Sequence, residues 1–194
     1  RHTVYGALPD QPQFVNEDRP PLAGRRFPEI QDLIAADLYV SGQLWKSANT
    51  EVVVLRPVNI VGPTVRTLLS RYLGKKRVFT IAGFDPVHQV IHEEDLARAV
   101  AASCEPGLRG IFNVTGPGEV PLHVLVSATN AAHTAIPEPL VRLFMGRLGF
   151  PKIPKGAYDF LKYPCTVDGS RFADATGFTP RFDLRATLET LRTK

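Results

Sequence analysis

The sequence predicts an α/β fold built around a parallel sheet, and three observations carry that expectation. Val52 to Leu55 is a continuous apolar run of strand length, as expected of a strand buried on both faces. Pro57 cannot extend that ladder and Gly62-Pro63 breaks the chain again, so Pro57 to Pro63 reads as a loop at the strand's carboxyl end. Further along, short apolar strands alternate with amphipathic helical patterns. In open α/β sheets ligands bind at the carboxyl ends of strands, which makes Arg56 and Asn59 the polar groups such a loop would aim at one. A buried strand with a proline-stopped turn and no ligand fits the same residues.

Taken in order, residues 7 to 28 form a proline-rich polar loop without periodicity. Ile30 to Trp45 has helical spacing, with Ile34, Leu38 and Trp45 on one face. After the Val52 strand, Thr64 to Leu73 is a second helix with the apolar stripe Val65, Leu68, Leu69, Tyr72. Arg77 to Ala82 and Val87 to Ile91 are short strands flanking the turn Gly83 to Pro86. Glu93 to Cys104 is a helix whose acidic first turn complements its dipole, with Leu96, Val100 and Cys104 inward. Ile111 to Val114 is a strand ending in the turn Thr115-Gly116-Pro117-Gly118, which no helix follows at once. A helix through Val126 comes after Pro121, and Pro137 to Gly149 carries another with Leu140, Leu143, Phe144 and Leu148 apolar. Phe150 to Pro164 is irregular. Ser170 to Thr176 is a short helix closed by Gly177, and Leu184 to Leu191 is the last.

At 194 residues, 44% apolar and 22% charged, the chain can bury one good core, as a main lobe with a small satellite. The net charge of +4 is scattered, with Lys75-Lys76-Arg77 as its one basic run, which speaks against a nucleic-acid surface but could attract a phosphorylated ligand. Cys104 and Cys165 stand far apart and read as reduced packing residues. His88 and His92 have no third metal ligand at a convincing spacing, and no Gly-x-Ser-x-Gly elbow is present, so metal sites and serine hydrolases are not expected. No apolar run approaches about 18 residues and no secretory signal is visible, which makes the cytoplasm the default location and a membrane partner unexpected.

Four motifs in order resemble the extended short-chain dehydrogenases, the nucleotide-sugar epimerase/dehydratase family. Arg56-Pro-x-Asn59-x-x-Gly62-Pro63 follows an apolar strand as that family's motif does. Val4-Tyr5-Gly6 with Asn16-Glu17-Asp18-Arg19-Pro20 resembles the stretch after its fifth strand. Gln89-Val-Ile-His92-Glu-Glu-Asp95-Leu-Ala97 and Gly110-Ile-Phe-Asn113-Val-Thr-Gly116 are similar to its later motifs. The resemblance implies the carboxyl-terminal part of a Rossmann-like doubly wound sheet plus a small α/β substrate-binding lobe. It divides the chain into residues 1–76, the remainder of the Rossmann-like domain, and 77–194, mainly the lobe. It implies NAD or NADP as cofactor, with Arg56, Pro57 and Val58 on the cofactor side. Asn59, His88, Gln89 and His92 would face a nucleotide-sugar-like substrate, and a homodimer would form through the Ile30 to Trp45 helix.

What the motifs lack also matters. No Gly-rich phosphate turn follows a strand, and the first residue is Arg1, so the chain reads as the second half of a longer fold. The family's catalytic Tyr, acidified by a Lys four residues on, should precede the Val52 strand, where Phe27 and Leu33 stand instead. Thr3 is the one hydroxyl near the expected catalytic Ser or Thr. Tyr72/Lys76 and Tyr158/Lys162 match the spacing but lie downstream, and read as packing residues. His88 stands where the family often has a diphosphate-binding Arg. Three functions follow from these residues: an NAD(P)-dependent epimerase, dehydratase or reductase inactive as this chain alone; a silent relative that binds a metabolite or a protein; and a half-fold completed by another chain.

Overall fold

A computed structural model describes residues 1–46, 49–129, 131–144 and 154–192. Short 3-10 turns at His2–Tyr5, Ala23–Arg25 and Pro28–Ile30 lead into α1, Gln31–Lys46. Then come β1 (Val53–Pro57), β2 (Asn59–Val61), α2 (Leu68–Leu73), β3 (Arg77–Ile81), β4 (Val87–His92), α3 (Glu93–Ala102), β5 (Gly110–Val114) and β6 (Glu119–Pro121). The chain continues through α4 (Leu122–Ser127), β7 (Ala132–Ile136), α5 (Glu138–Phe144), α6 (Lys155–Asp159), α7 (Ser170–Thr176) and α8 (Leu184–Glu189).

The α/β class stands. β1 pairs in parallel with β5, β2 with β4 and β3 with β7, while β6 runs antiparallel to β4. Parallel pairing requires crossovers, and the helices between the strands provide them. Local chemistry sets several boundaries. Thr67 caps α2 by accepting the Ser70 amide at 3.1 Å, and Asp183 caps α8 by accepting that of Ala186 at 2.7 Å. Gly177 ends α7 in the left-handed conformation, φ 66°, as its composition implied.

Several expectations need correction. Val53, Val54 and Leu55 are only partly buried rather than enclosed on both faces, and among the described residues β1 pairs with β5 alone. Pro57 does belong to β1. It lacks a donor, but the next amide, Val58 N, donates to Val114 O at 3.0 Å and carries the ladder on. The expected loop after it contains β2, held by β4. The second helix begins at Leu68 rather than Thr64, and α6 lies in the stretch read as irregular. On α1 only Ile34 of the expected face is buried; Leu38 is exposed and Trp45 is 91% exposed. Val100 on α3 and Cys104 just beyond it face solvent, and the buried residues of α3 are Asp95 and Ala99. Leu148 and the end of the helix expected to reach Gly149 lie outside the described residues.

Two apolar clusters form the core. One joins Tyr5, Val58, Ile60, Ile91, Phe112 and Phe172, and the other joins Leu73, Val78, Val90, Leu122, Leu125 and Leu161. Asp95, read as a charge for the start of α3, does more: its fully buried carboxylate accepts the Arg181 and Phe182 amides at 2.9 and 3.0 Å and anchors the carboxyl-terminal segment.

A buried ion pair ties α1 to β1. Arg56 is 2% exposed, and its Nε and Nη2 donate to the two oxygens of Asp37 at 2.9 and 2.6 Å. Asp37→Ala would strand that guanidinium without a counter-charge, so urea unfolding should show a loss of about 3–5 kcal/mol. A variant within about 1 kcal/mol of the parent would show that water replaces the pair at little cost.

Candidate functional site

Beyond the carboxyl end of β1, the chain crosses the front of a cavity of about 220 Å3. Val58, Asn59 and Ile60 form one side, Leu69, Arg71 and Lys75 a second, and Phe27, Phe160 and Leu161 a third. His2, Thr3 and His88 also line it. The wall therefore draws on both apolar clusters. Its charged side chains are Arg1, Arg71 and Lys75, and among the described lining residues there is no carboxylate.

The polar groups in this wall are mostly engaged by the protein itself. Asn59 Nδ2 donates to Gln89 O at 3.1 Å, Thr67 Oγ1 donates to Ile60 O at 3.3 Å, and Tyr72 donates to Phe79 O at 2.6 Å. His2 Nδ1 lies 3.2 Å from Pro57 O. His88 differs: it is 6% exposed, and its Nε2 has no hydrogen-bond partner. Burial pushes His88 down to about 4 and His2 down to about 3, so both imidazoles are neutral near pH 7.

Of the residues singled out from sequence, Thr3, Val58, Asn59 and His88 meet at this cavity. The others are held elsewhere. Arg56 is bound to Asp37 and also donates to the Tyr5 hydroxyl at 2.8 Å and to Glu17 O at 3.4 Å. Pro57 offers its carbonyl to His2. Gln89 acts as a staple, donating to Glu119 and to Val167 O and accepting from Val167 N, with distances of 2.8–3.0 Å. His92 turns to α3, where its Nδ1 accepts the Glu94 amide at 3.2 Å, and its ring stacks on Phe182 at 3.9 Å. Sequence reasoning missed His2, Leu69, Arg71 and Phe160. Of these only Arg71, four residues before Lys75 of the basic run, left a signal that could have been read.

Neither Tyr5 nor Tyr72 has its phenol on a lysine, whereas Tyr163 is a side-chain partner of Lys162. Tyr5 donates to Asn113 Oδ1 at 2.9 Å, and burial raises its pKa against the pull of Arg56. Tyr72 is pushed up by burial alone. Lys162 pairs with Glu138 at 3.0 Å and lies over the ring faces of Phe84, Tyr163 and Tyr158 at 4.6, 5.1 and 6.0 Å. Among the described residues no group of three His, Cys, Asp or Glu is placed to hold a metal ion, and no helix is long and apolar enough to cross a membrane.

Comparison with known proteins gives this geometry a context. No family model matches the chain. An uncharacterized protein of Mycobacterium tuberculosis (strain ATCC 25618 / H37Rv) is 28% identical over 187 residues, covering 92% of this chain and 48% of the relative. The chain thus spans about half the length of the curated relatives it matches. Among solved structures, RMD from Pseudomonas aeruginosa complexed with NADPH superposes with a TM-score of 0.68 at 17% identity, covering 98% of this chain and 62% of that one. UDP-glucuronic acid 4-epimerase from Bacillus cereus, in complex with UDP-glucuronic acid and NAD, gives 0.68 at 17%, covering 97% and 57%. The structural neighbours are NAD-dependent epimerase/dehydratase family members, and the chain has the fold of their carboxyl-terminal portion.

The buried histidines set a pH dependence. Because His88 is depressed, the unfolded chain takes up a proton between about pH 6.5 and about 4 that the folded chain does not. Stability should therefore fall as pH falls through that window, by on the order of 1 kcal/mol per pH unit for this group. His88→Asn should flatten the slope by that amount in urea unfolding at pH 7 and 5, and an unchanged slope would mean the ring titrates normally.

Proposed function

We propose that the cavity beyond β1 binds an anionic hydroxy or keto compound of the nucleotide-sugar class. On this reading the chain supplies the substrate side of an NAD(P)-dependent epimerase, dehydratase or reductase. The observation that carries it is the lining: an apolar wall at the carboxyl end of a parallel strand, with cationic side chains and no carboxylate among the described residues. The structural neighbours include proteins with NADPH, or with NAD and UDP-glucuronic acid, bound.

The fit to a dinucleotide is partial. On this reading Val58, in the cavity wall, would meet the nicotinamide ring, whereas Arg56 is committed to Asp37. Hydride exchange is the chemistry NAD(P) would supply. This chain's part is to exclude water with Phe27, Phe160 and Leu161 and to orient the substrate with Asn59 and His88. A second reading, binding without turnover, is favoured by the engagement of the Tyr5 and Tyr72 hydroxyls within the protein. A homodimer through α1 would cover Leu38, Tyr39 and Trp45, which are 53%, 71% and 91% exposed.

Titration calorimetry with UDP-glucose and UDP-glucuronic acid, with and without NAD(H) or NADP(H), tests the binding. A sugar nucleotide should bind, and Arg71→Glu with Lys75→Glu should weaken it roughly tenfold or more. Affinity indifferent to both charge reversals would remove the cavity as the site. Nicotinamide absorbance then separates the readings, since binding without any change in it is the silent outcome.

A further inference from the structure

Part of the third wall of the cavity is carried by α6 and the turn that follows it, a helix of five residues with no side-chain N-cap. A helix that short is not stable through its own hydrogen bonds and takes its position from what it packs on. Near its start the backbone rests on Phe27, where a Cβ on Gly156 would stand 2.1 Å from Phe27 Cβ. At its end the Lys162 and Tyr163 amides donate to Asp159 O at 3.0 and 2.9 Å, so Lys162 continues the same unit. Ala157, Phe160 and Leu161 of this unit line the cavity.

Lys162 is enclosed, with a side chain 9% exposed. Its Nζ donates to Glu138 at 3.0 Å and lies over the rings of Phe84, Tyr163 and Tyr158 at 4.6, 5.1 and 6.0 Å. These partners come from separate segments. Tyr158 and Tyr163 belong to the α6 unit, Glu138 opens α5, and Phe84 lies in the turn after β3. β3 is bonded in turn to the second wall, because the Tyr72 hydroxyl of α2 donates to Phe79 O at 2.6 Å. Contact therefore runs from Leu69 and Arg71 on α2, through β3 and Phe84, to Lys162 and the α6 wall. Burial works against the charge of Lys162, but its hydrogen bonds to Glu138 and Tyr163 raise its pKa, so it is a cation near pH 7.

We propose that Lys162 is a positioning residue for this cavity: its ammonium, drawn to three ring faces and one carboxylate, fixes the α6 wall against the α2 side and so sets the width of the site. This rests on the reading of the cavity as a sugar-nucleotide site and adds the residue that holds its walls apart. A cation attracted from several directions resists displacement along each of them. An apolar side chain of similar size would fill the space but leave the wall free to shift. A wall that must be ordered anew each time a ligand enters lowers affinity without removing a single ligand contact.

The test compares the purified parent protein with Lys162→Met, which keeps the volume, and Lys162→Arg, which keeps the charge and can stack on the rings. Calorimetry with UDP-glucose at pH 7 should show affinity lowered roughly tenfold in Lys162→Met and restored to within about threefold of the parent in Lys162→Arg. Hydrogen exchange read by mass spectrometry should be roughly tenfold faster over residues 154–163 in Lys162→Met, with β1 and β5 unchanged. Should Lys162→Met fail to fold, Phe84→Leu removes one ring face at a partly buried position and should move both readouts in the same direction.

UDP-glucose binding that is the same in the parent and in Lys162→Met would overturn this inference and leave the sugar-nucleotide reading intact. Faster exchange spread equally over β1 and β5 would also overturn it, since Lys162 would then stabilise the fold as a whole. So would Lys162→Arg behaving as Lys162→Met. A parent protein that binds neither UDP-glucose nor UDP-glucuronic acid would overturn the ligand reading and this inference with it.

Discussion

A guanidinium buried without water needs its charge and its donors answered at once, and Arg56 is answered from three directions. Asp37 on α1 takes two of its N–H groups, the Tyr5 hydroxyl another, and the Glu17 carbonyl lies within reach. The network continues, since Tyr5 donates to Asn113, the Asn113 amide donates to Glu17 Oε1 at 2.7 Å, and the Asn113 side chain donates to Val15 O and Asp168 O at 3.1 Å. Residues far apart in the chain thereby meet around β1 and β5. Apolar contacts tolerate sliding, but directional bonds in a dry interior do not, so this network fixes the register in which α1, β1 and β5 assemble. Val58 and Asn59 follow directly, and the cavity inherits its position from Arg56.

The same economy governs the β2-β4-β6 sheet. Gly116 lies so close to β4 that a Cβ there would stand 1.8 Å from Val90 O, and Gln89 staples that strand to Val167. With β4 held from both sides, His88 at its start has little freedom to find a partner of its own. A polar group kept unpaired by rigid surroundings costs stability. The cavity thus has a neutral buried histidine in its wall and the exposed cations Arg71 and Lys75 beside it.

Much of this was legible in the sequence. The apolar run of β1, the acidic first turn of α3 and the glycine stop of α7 are local signals, and each element forms where its signal lies. Thr3, Val58, Asn59 and His88 were marked by motif and do line one cavity. Other elements left weaker traces. β7, Ala132–Ile136, alternates poorly and owes its existence to β3. β2 follows a proline and is three residues long, so only β4 makes it a strand.

By itself the sequence determined the α/β class and most helix and strand positions, because these rest on periodicity, caps and breakers within a few residues. Only the tertiary structure decided that Arg56 faces inward to Asp37 while His88 keeps a free nitrogen. It also decided that Gln89 and His92 serve the scaffold, and that Arg71 and Phe160 join the wall. Those assignments depend on which of a side chain's possible partners, tens of residues away, the fold brings within hydrogen-bonding distance, and no local pattern encodes that distance.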